Sequence, residues 1–414
     1  MSLFEAIRLA VGMIRAQKLK SFFSLVGAFV GVAFLIAVVS IVNGMDVYMK
    51  DTFAGKLFGV NTFTITYRPR VQMGDMSQEQ WRALRRRPRL NEDDYRAVRA
   101  RLEGRAVVAI ESSDRTTVYE GGRRSRNVEL RGVSDTYFRI RNIEIADGRA
   151  FSAQEVDRAA NVVVIGADLA TKFFGGGARA LGHTLRIGDL PYRVIGVAKS
   201  QGKLFNQSLD KFAIAPFTSQ VKKLVNPHRI VDGILVKAAT LPEMQDAMGE
   251  TEALMRSRRH LRPGQDNNFH FETADDVLDF WGKIASALFT GGLALMGISL
   301  VVGGIIIMNI MLMAVAERTR EIGIRKALGA RRRDILRQFL VEAAALSTGG
   351  AVLGIAVGVG AAKLIDAFTS LPAKPSLFWM TIALVLGMGT GIVAGVYPAN
   401  RAAKLDPIAA LRFE

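Results

Sequence analysis

The chain has 414 residues, half of them hydrophobic, and 55 Lys/Arg against 38 Asp/Glu, for a formal charge of +17. It has no cysteine, which excludes disulfides, thiol catalysis and cysteine-based metal sites. The apolar residues gather in blocks flanked by the basic ones, so a membrane surface accounts for most of a charge that would otherwise suggest nucleic acid, and no nucleic-acid partner is expected.

In chain order, residues 1–21 read as a cytoplasmic amphipathic segment carrying Arg8, Arg15, Lys18 and Lys20. Residues 22–42 follow, 21 positions without a charge. That is long enough to span a bilayer and too long for a signal-peptide core. The basic flank keeps the N-terminus inside and sends residues 43–283 outside. This insert reads as mixed α+β. Strands are predicted at Val60–Tyr67, Ala106–Val118, Asn127–Val133, Asn161–Ile165 and Ile230–Val236. Helices are predicted at Asn91–Leu102 with an Asn cap, at Ala167–Phe174 ended by glycines, and at Leu241–Arg259. Leu185–Val197 reads as a hairpin turning at Gly188-Asp189. Trp81–Arg89 holds Arg82, Arg85, Arg86, Arg87 and Arg89 around Pro88; it reads as a solvated, mobile loop, with anionic lipid or an acidic partner as the functional alternative.

The second apolar run, 284–316, has 33 uncharged residues. As helix it measures about 50 Å against about 30 Å of hydrocarbon. With an N-cap at Thr273 or Asp275, one long helix is predicted, its outer end forming a stalk with Asn43–Lys56. Residues 317–338 then carry eight Lys/Arg against three acids. A basic loop between two spans belongs on the cytoplasmic side. Ile322, Ile324, Ala327 and Leu328, interleaved among these charges, predict an amphipathic helix placed for a soluble partner to grip. Spans three and four fall at 339–362 and 377–397, separated by the sparsely charged extracytoplasmic loop 363–376 and followed by a basic cytoplasmic tail, 398–414. The fold class is therefore a membrane protein of four transmembrane α-helices, with a large extracytoplasmic α+β domain inserted between the first two. Glycines at four-residue spacing, Gly27/Gly31, Gly350/Gly354/Gly358 and Gly387/Gly391/Gly395, mark faces for close helix packing. Glu342, with Arg337 as its expected neighbour, reads as structural.

Catalytic signatures are thin. The nearest text to a phosphate loop, Gly196 to Leu204, has the wrong spacing and ends on a residue that cannot bind magnesium. His183, His228, His260 and His270 form no metal-spaced pair, and no nucleophile elbow occurs. No catalytic or metal residue is assigned.

Glu317-Arg-Thr-Arg-Glu-Ile-Gly-Ile-Arg-Lys-Ala-Leu-Gly-Ala-Arg331 with Phe339-Leu-Val-Glu342 resembles the central signature of FtsX-like permeases, and Pro398 to Leu411 resembles their C-terminal one. Ala6 to Gly44, Asn161 to Gly166 and Leu181 to Val197 are similar to the MacB-type opening and periplasmic core. The resemblance implies a permease subunit of a MacB-class ABC transporter in the bacterial inner membrane, with both termini cytoplasmic. It implies a MacB/LolD-like ATPase, separate or fused in that class, that binds ATP and Mg. With no phosphate loop in this sequence, the ATPase is expected to be a separate partner, and no cofactor or enzymatic activity is expected in this chain. It further implies a homodimer or heterodimer, contact with membrane lipids, and room for a periplasmic adaptor. The family's ATPase-coupling helix falls on Glu317, Arg318, Arg320, Glu321, Gly323, Arg325, Lys326, Leu328, Gly329 and Ala330. Arg318, Arg320, Arg325 and Lys326 are expected to grip the ATPase. The implied function is ATP-driven movement of the outer domain for export or extraction of a substrate from the membrane or periplasm. The alternative is an FtsX-like, non-transporting regulator of an extracytoplasmic partner such as a cell-wall hydrolase, or a handler of lipoproteins. Arg331-Arg332-Arg333 is more charged than the family pattern.

Overall fold

The computed structural model describes residues 18–50, 59, 61–69, 77–204, 207–225, 230–369 and 371–411. The expected amphipathic N-terminus lies mostly outside them, as do Val60 and the later part of the predicted first stalk segment. The chain divides into a membrane unit, residues 1–46 and 283–414, and an inserted unit, residues 47–282. The principal helices are α1 (Lys18–Tyr48), α2 (Gln78–Arg86), α3 (Glu92–Arg101), α4 (Ala167–Phe174), α5 (Leu241–Arg258), α6 (Ala274–Glu317), α7 (Thr319–Ala327), α8 (Arg332–Phe368), α9 (Leu377–Ala403) and α10 (Pro407–Leu411).

The inserted unit is built on a ten-stranded mixed sheet. Its strands are β1 (Thr62–Thr66), β2 (Val107–Glu120), β3 (Arg123–Val133), β4 (Ile145–Gly148), β5 (Val162–Ile165), β6 (Thr184–Ile187), β7 (Leu190–Ala198), β8 (Phe212–Pro216), β9 (Gly233–Lys237) and β10 (His270–Thr273). They run in the order β10-β1-β9-β2-β3-β8-β5-β7-β4, with β6 beside β2 and β7. β3–β8 and β5–β7 pair in parallel, while the other described ladders are antiparallel. The β2–β3 hairpin is longer than the sequence suggests. Its polar tip shows no apolar alternation, yet Gly121 and Gly122 supply the positive φ of a two-residue turn and Glu120 pairs with Arg123. The predicted helix caps form: Asn91 accepts from the Asp94 amide at 2.8 Å, and Gly175 closes α4 in the left-handed region.

Buried aliphatic and aromatic side chains hold the unit together, among them Phe63, Ile65, Val98, Val236 and Met255 between the β1–β9 face and α3 and α5. Each contributes about 1.5–3 kcal/mol by leaving water. Charge is buried as well. Glu111, 5% exposed, accepts from Tyr137 Oη at 3.3 Å and Arg141 Nη2 at 3.4 Å; Arg131 donates to Tyr137 Oη at 3.2 Å and to Glu129 at 2.9 Å. Burial pushes the Tyr137 hydroxyl above its ordinary range, which keeps it a neutral link between acid and base. Trp81–Arg89, expected as a loop, is mostly α2. Ser77 accepts from the Gln80 amide, and the Gln80 side chain accepts from Ser77 N at 2.9 Å. That capping box offsets the low helix tendency of a short polar segment, and Leu84 alone is buried.

In the membrane unit α1, α6, α8 and α9 are long and apolar enough to cross a membrane. α6 runs unbroken for 44 residues, about 66 Å at the standard rise. Its start is capped reciprocally: Asp276 accepts from Thr273 N at 2.7 Å, and Thr273 Oγ1 from the Asp276 amide at 3.3 Å. Two helices extend beyond their apolar runs. α8 begins at Arg332, seven residues before the run expected at 339, and α9 continues through Pro398 to Ala403. A proline forfeits one intrahelical bond, and packed neighbours hold the turn here: Ala399, Ala402 and Ala403 lie in one apolar cluster with Phe339 and Ile335.

The glycine faces are contact faces. A Cβ on Gly354 would lie 2.8 Å from Phe29 O, one on Gly358 2.8 Å from Ala33 O, and one on Gly387 2.7 Å from Ala351 Cβ. On Gly391 it would lie 2.6 Å from Ala343 O, and on Gly395 2.6 Å from Ala343 Cβ. Gly27 meets the Gly303 backbone and Gly31 faces Ser299. Gly350 is buried on α8, beside Gly354 and Gly358. Ser299 Oγ donates to Gly27 O at 3.1 Å, and Ser347 Oγ to Gly387 O at 2.5 Å. Lipid tails are as apolar as the helices, so association rests on such close contacts, with interhelical hydrogen bonds worth about 0.6 kcal/mol each.

Candidate functional site

The charged segment between the second and third spans folds as a kink, a short helix and a cap. α6 ends at Glu317, and Arg318 breaks the helical path with φ −105° and ψ 16°. α7 then runs to Ala327 and closes at Gly329, φ +96°. The Gly329 amide donates to Lys326 O at 3.1 Å, and the Ala330 amide to Arg325 O at 3.0 Å. This paired bonding is a Schellman cap, and it needs a residue tolerant of the left-handed region. Arg331 N donates to Asp334 at 3.1 Å as α8 starts, so Arg331, Arg332 and Arg333 surround the N-terminus of a helix. Three like charges oppose the helix dipole there, with Asp334 partly compensating.

The basic residues do not all face outward as expected. Arg318 donates to Glu342 Oε1 at 3.4 Å; the carboxylate is 8% exposed. Glu342 therefore pairs with Arg318, 24 residues away, and not with Arg337. The kink at Arg318 folds α7 back beside the start of α8, which sequence spacing alone does not reveal. Lys326 also turns inward, with Nζ donating to Ala403 O at 2.9 Å and to Leu405 O where α9 ends. Ala403 O is one of the carbonyls that a helix C-terminus leaves unpaired and Leu405 O lies just past the cap, so an ammonium there satisfies both bonding and dipole. Arg325 donates to Gln338 Oε1 at 3.0 Å and lies 4.0 Å from Glu321.

Gly323 is a close-approach position: a Cβ there would sit 2.7 Å from Ala410 Cβ on α10. Asp406 starts α10 by accepting from the Ile408 amide at 2.9 Å. Ile322 is buried with Val315, Ile335 and Phe339. Exposed on the other side are Arg320, Glu321, Ile324, Gly329 and Leu328, the last 84% exposed. Arg320 makes no ion pair among the described residues. The segment is thus tied to α6 through Thr319, whose Oγ1 lies 2.9 Å from Ala316 O, to α8 through Arg318 and Arg325, and to α9 through Lys326. The part played by α10 was not foreseen; Pro407-Ile-Ala-Ala-Leu is too short to signal a packed helix, although its small residues suit the approach of Gly323. The Gly196–Leu204 stretch is no strand–loop–helix: Gly196 lies inside β7, and Lys203 and Leu204 pair with Gln207 and Ser208.

Two families match the chain: the MacB-like periplasmic core domain over residues 21–254 and the FtsX-like permease C-terminal domain over residues 293–407. The chain is 30% identical over 417 residues to the ABC transporter permease YknZ of Bacillus subtilis, covering the whole of both. It is 33% identical over 412 residues to the macrolide export ATP-binding/permease protein MacB of Bdellovibrio bacteriovorus, covering 96% of this chain but 60% of that one. Among solved structures, the periplasmic region of MacB from Actinobacillus actinomycetemcomitans is similar over 53% of this chain and 92% of its own, at 20% identity and a TM-score of 0.42. With four apolar helices and the matched domains in this order, the chain belongs to the MacB/FtsX-like family of ABC transporter permeases, as a multi-pass membrane protein.

Proposed function

We propose that this chain is the permease subunit that couples ATP hydrolysis by a cytosolic ATPase partner to movement of its extracytoplasmic domain, driving export or extraction of a substrate from the membrane or periplasm. In this reading the ATPase binds ATP and Mg, and two permease subunits act together. The observation that carries it is the anchoring of α7. A short helix exposing Arg320, Glu321, Ile324 and Leu328 is fastened to three membrane helices through Thr319, Arg318, Arg325 and Lys326. A push on its exposed face therefore loads α6, α8 and α9 together. α6 continues without a break from Ala274 to Glu317, and an internally bonded helix transmits displacement along its axis. Arg320 and the apolar tip at Leu328 supply the grip, while Arg318 and Lys326 supply the linkage.

The test reconstitutes the chain with its ATPase in vesicles and follows an ATP-dependent change in labelling of a single cysteine on the outer domain. Gly329→Leu, which the left-handed cap disfavours, is expected to leave the protein monodisperse and ATP hydrolysis running while abolishing the labelling change. An unaltered labelling change in that variant contradicts the proposal.

A further inference from the structure

The inserted unit carries a cationic surface that the coupling mechanism does not use. α2 exposes Arg82, Arg85 and Arg86, with Glu79 as its one acid, and Arg89 follows. Arg68 and Arg89 stack on the same Tyr67 ring, at 5.1 and 5.2 Å from its centre. Among the described residues none of these five arginines pairs with a carboxylate. Nearby acids are engaged elsewhere: Asp94 holds Arg258 at 3.1 Å and Arg259 at 3.7 Å, and Asp266 faces Arg87. Arg259 also donates to Pro88 O at 3.1 Å, which fixes the arginine segment against the end of α5. Burial, together with the neighbouring Arg258 and Arg87 charges, draws the Arg259 guanidinium below its usual range despite Asp94. Among the described residues, the five arginines outnumber the carboxylates beside them.

From this surface we infer a docking site for an acidic polypeptide, formed by Tyr67, Arg68, Arg82, Arg85, Arg86 and Arg89. Planar guanidiniums pair bidentately with carboxylates, and a capped helix presents them at fixed spacing. The same surface suits a lipid headgroup less well. Leu84 is buried and Trp81 half-buried, so α2 has no apolar face to enter a bilayer. The cluster also lies at the end of the β1–β10 pair opposite the start of α6, since Thr66 pairs with His270 and Phe63 with Thr273.

The test uses the full chain in phosphatidylcholine nanodiscs and a fluorescent polyglutamate peptide as probe. Arg82→Glu/Arg85→Glu is expected to weaken binding by about tenfold or more, with steep salt dependence. Arg124→Glu/Arg126→Glu, the same charge change on the exposed β2–β3 tip, is expected to weaken it less than about twofold. Both pairs are exposed, and unchanged melting temperatures confirm intact folds. Equal weakening by the two variants would reduce the effect to net charge and overturn the site. So would capture of phosphatidylglycerol vesicles by the wild type without peptide binding, which would assign the surface to lipid.

Discussion

The two units bury charge and pack in opposite ways. The inserted unit fills its core with Val, Ile, Leu and Phe and sinks a connected polar set into it, Glu111 with Arg141 and, through neutral Tyr137, Arg131. The membrane unit brings backbones together over Gly354, Gly358, Gly387 and Gly391, and among its described ion pairs Arg318–Glu342 is the buried one. Water drives the first arrangement, because burying large apolar side chains removes area from solvent. It cannot drive the second, because lipid is already apolar; what remains is contact distance and a few hydrogen bonds. Substitutions should therefore obey different rules in the two units.

The largest expected effect is Glu111→Ala. It removes the buried carboxylate that Arg141 and Tyr137 both donate to, and thermal unfolding should report a loss of about 3–5 kcal/mol. Gly391→Leu tests the other unit. Its new side chain meets the Ala343 backbone, which cannot shift cheaply, so about 1–3 kcal/mol and a monodisperse peak in size-exclusion chromatography should be lost. Gly389→Ala, where a Cβ meets nothing within 4 Å, should elute unchanged. If both glycines tolerate bulk equally, the contrast between the units fails. Smaller still is Gly249→Ala in α5, an open helical position, expected to stabilise the inserted unit by about 0.5–1 kcal/mol in the same melting experiment.

The smallest effect is a pH dependence. Burial lowers the His270 pKa, with Arg87 adding and Asp276 opposing. The folded state then holds its proton less tightly than the unfolded chain does. Stability is complete above the unfolded value of about 6.5 and falls as pH drops through it. Melting temperatures measured from about pH 8 to about pH 5 should fall less steeply in His270→Gln than in the wild type. Identical slopes would remove His270 from the account.

Local chemistry made much of this legible. The Asn91 cap, the Gly188-Asp189 hairpin and the apolar runs each carry their cause within a few residues. What escaped depends on residues distant in sequence. Arg337 looked like the partner of Glu342 because it is near in sequence, but the kink at Arg318 brings in a closer cation. Lys326 looked like surface charge until the end of α9 supplied carbonyls 77 and 79 residues away. Trp81–Arg89 looked like loop because Pro88 masks a helix that ends before it. Pro398 looked like the end of a span, yet the packed alanines beyond it carry α9 to Ala403. Gly323 and Gly329 could be singled out by type, but only the fold separates their duties: one admits Ala410, the other turns the chain.

The most direct test places the exposed tip of α7 on one side of the membrane and the inserted unit on the other. The chain contains no cysteine, so single substitutions report cleanly. In spheroplasts, a membrane-impermeant maleimide should label Gln201→Cys at once, and Leu328→Cys only after lysis and less when the ATPase is bound. Labelling of Leu328→Cys in intact spheroplasts, or none of Gln201→Cys until lysis, would contradict a cytosolic lever joined to an outer domain.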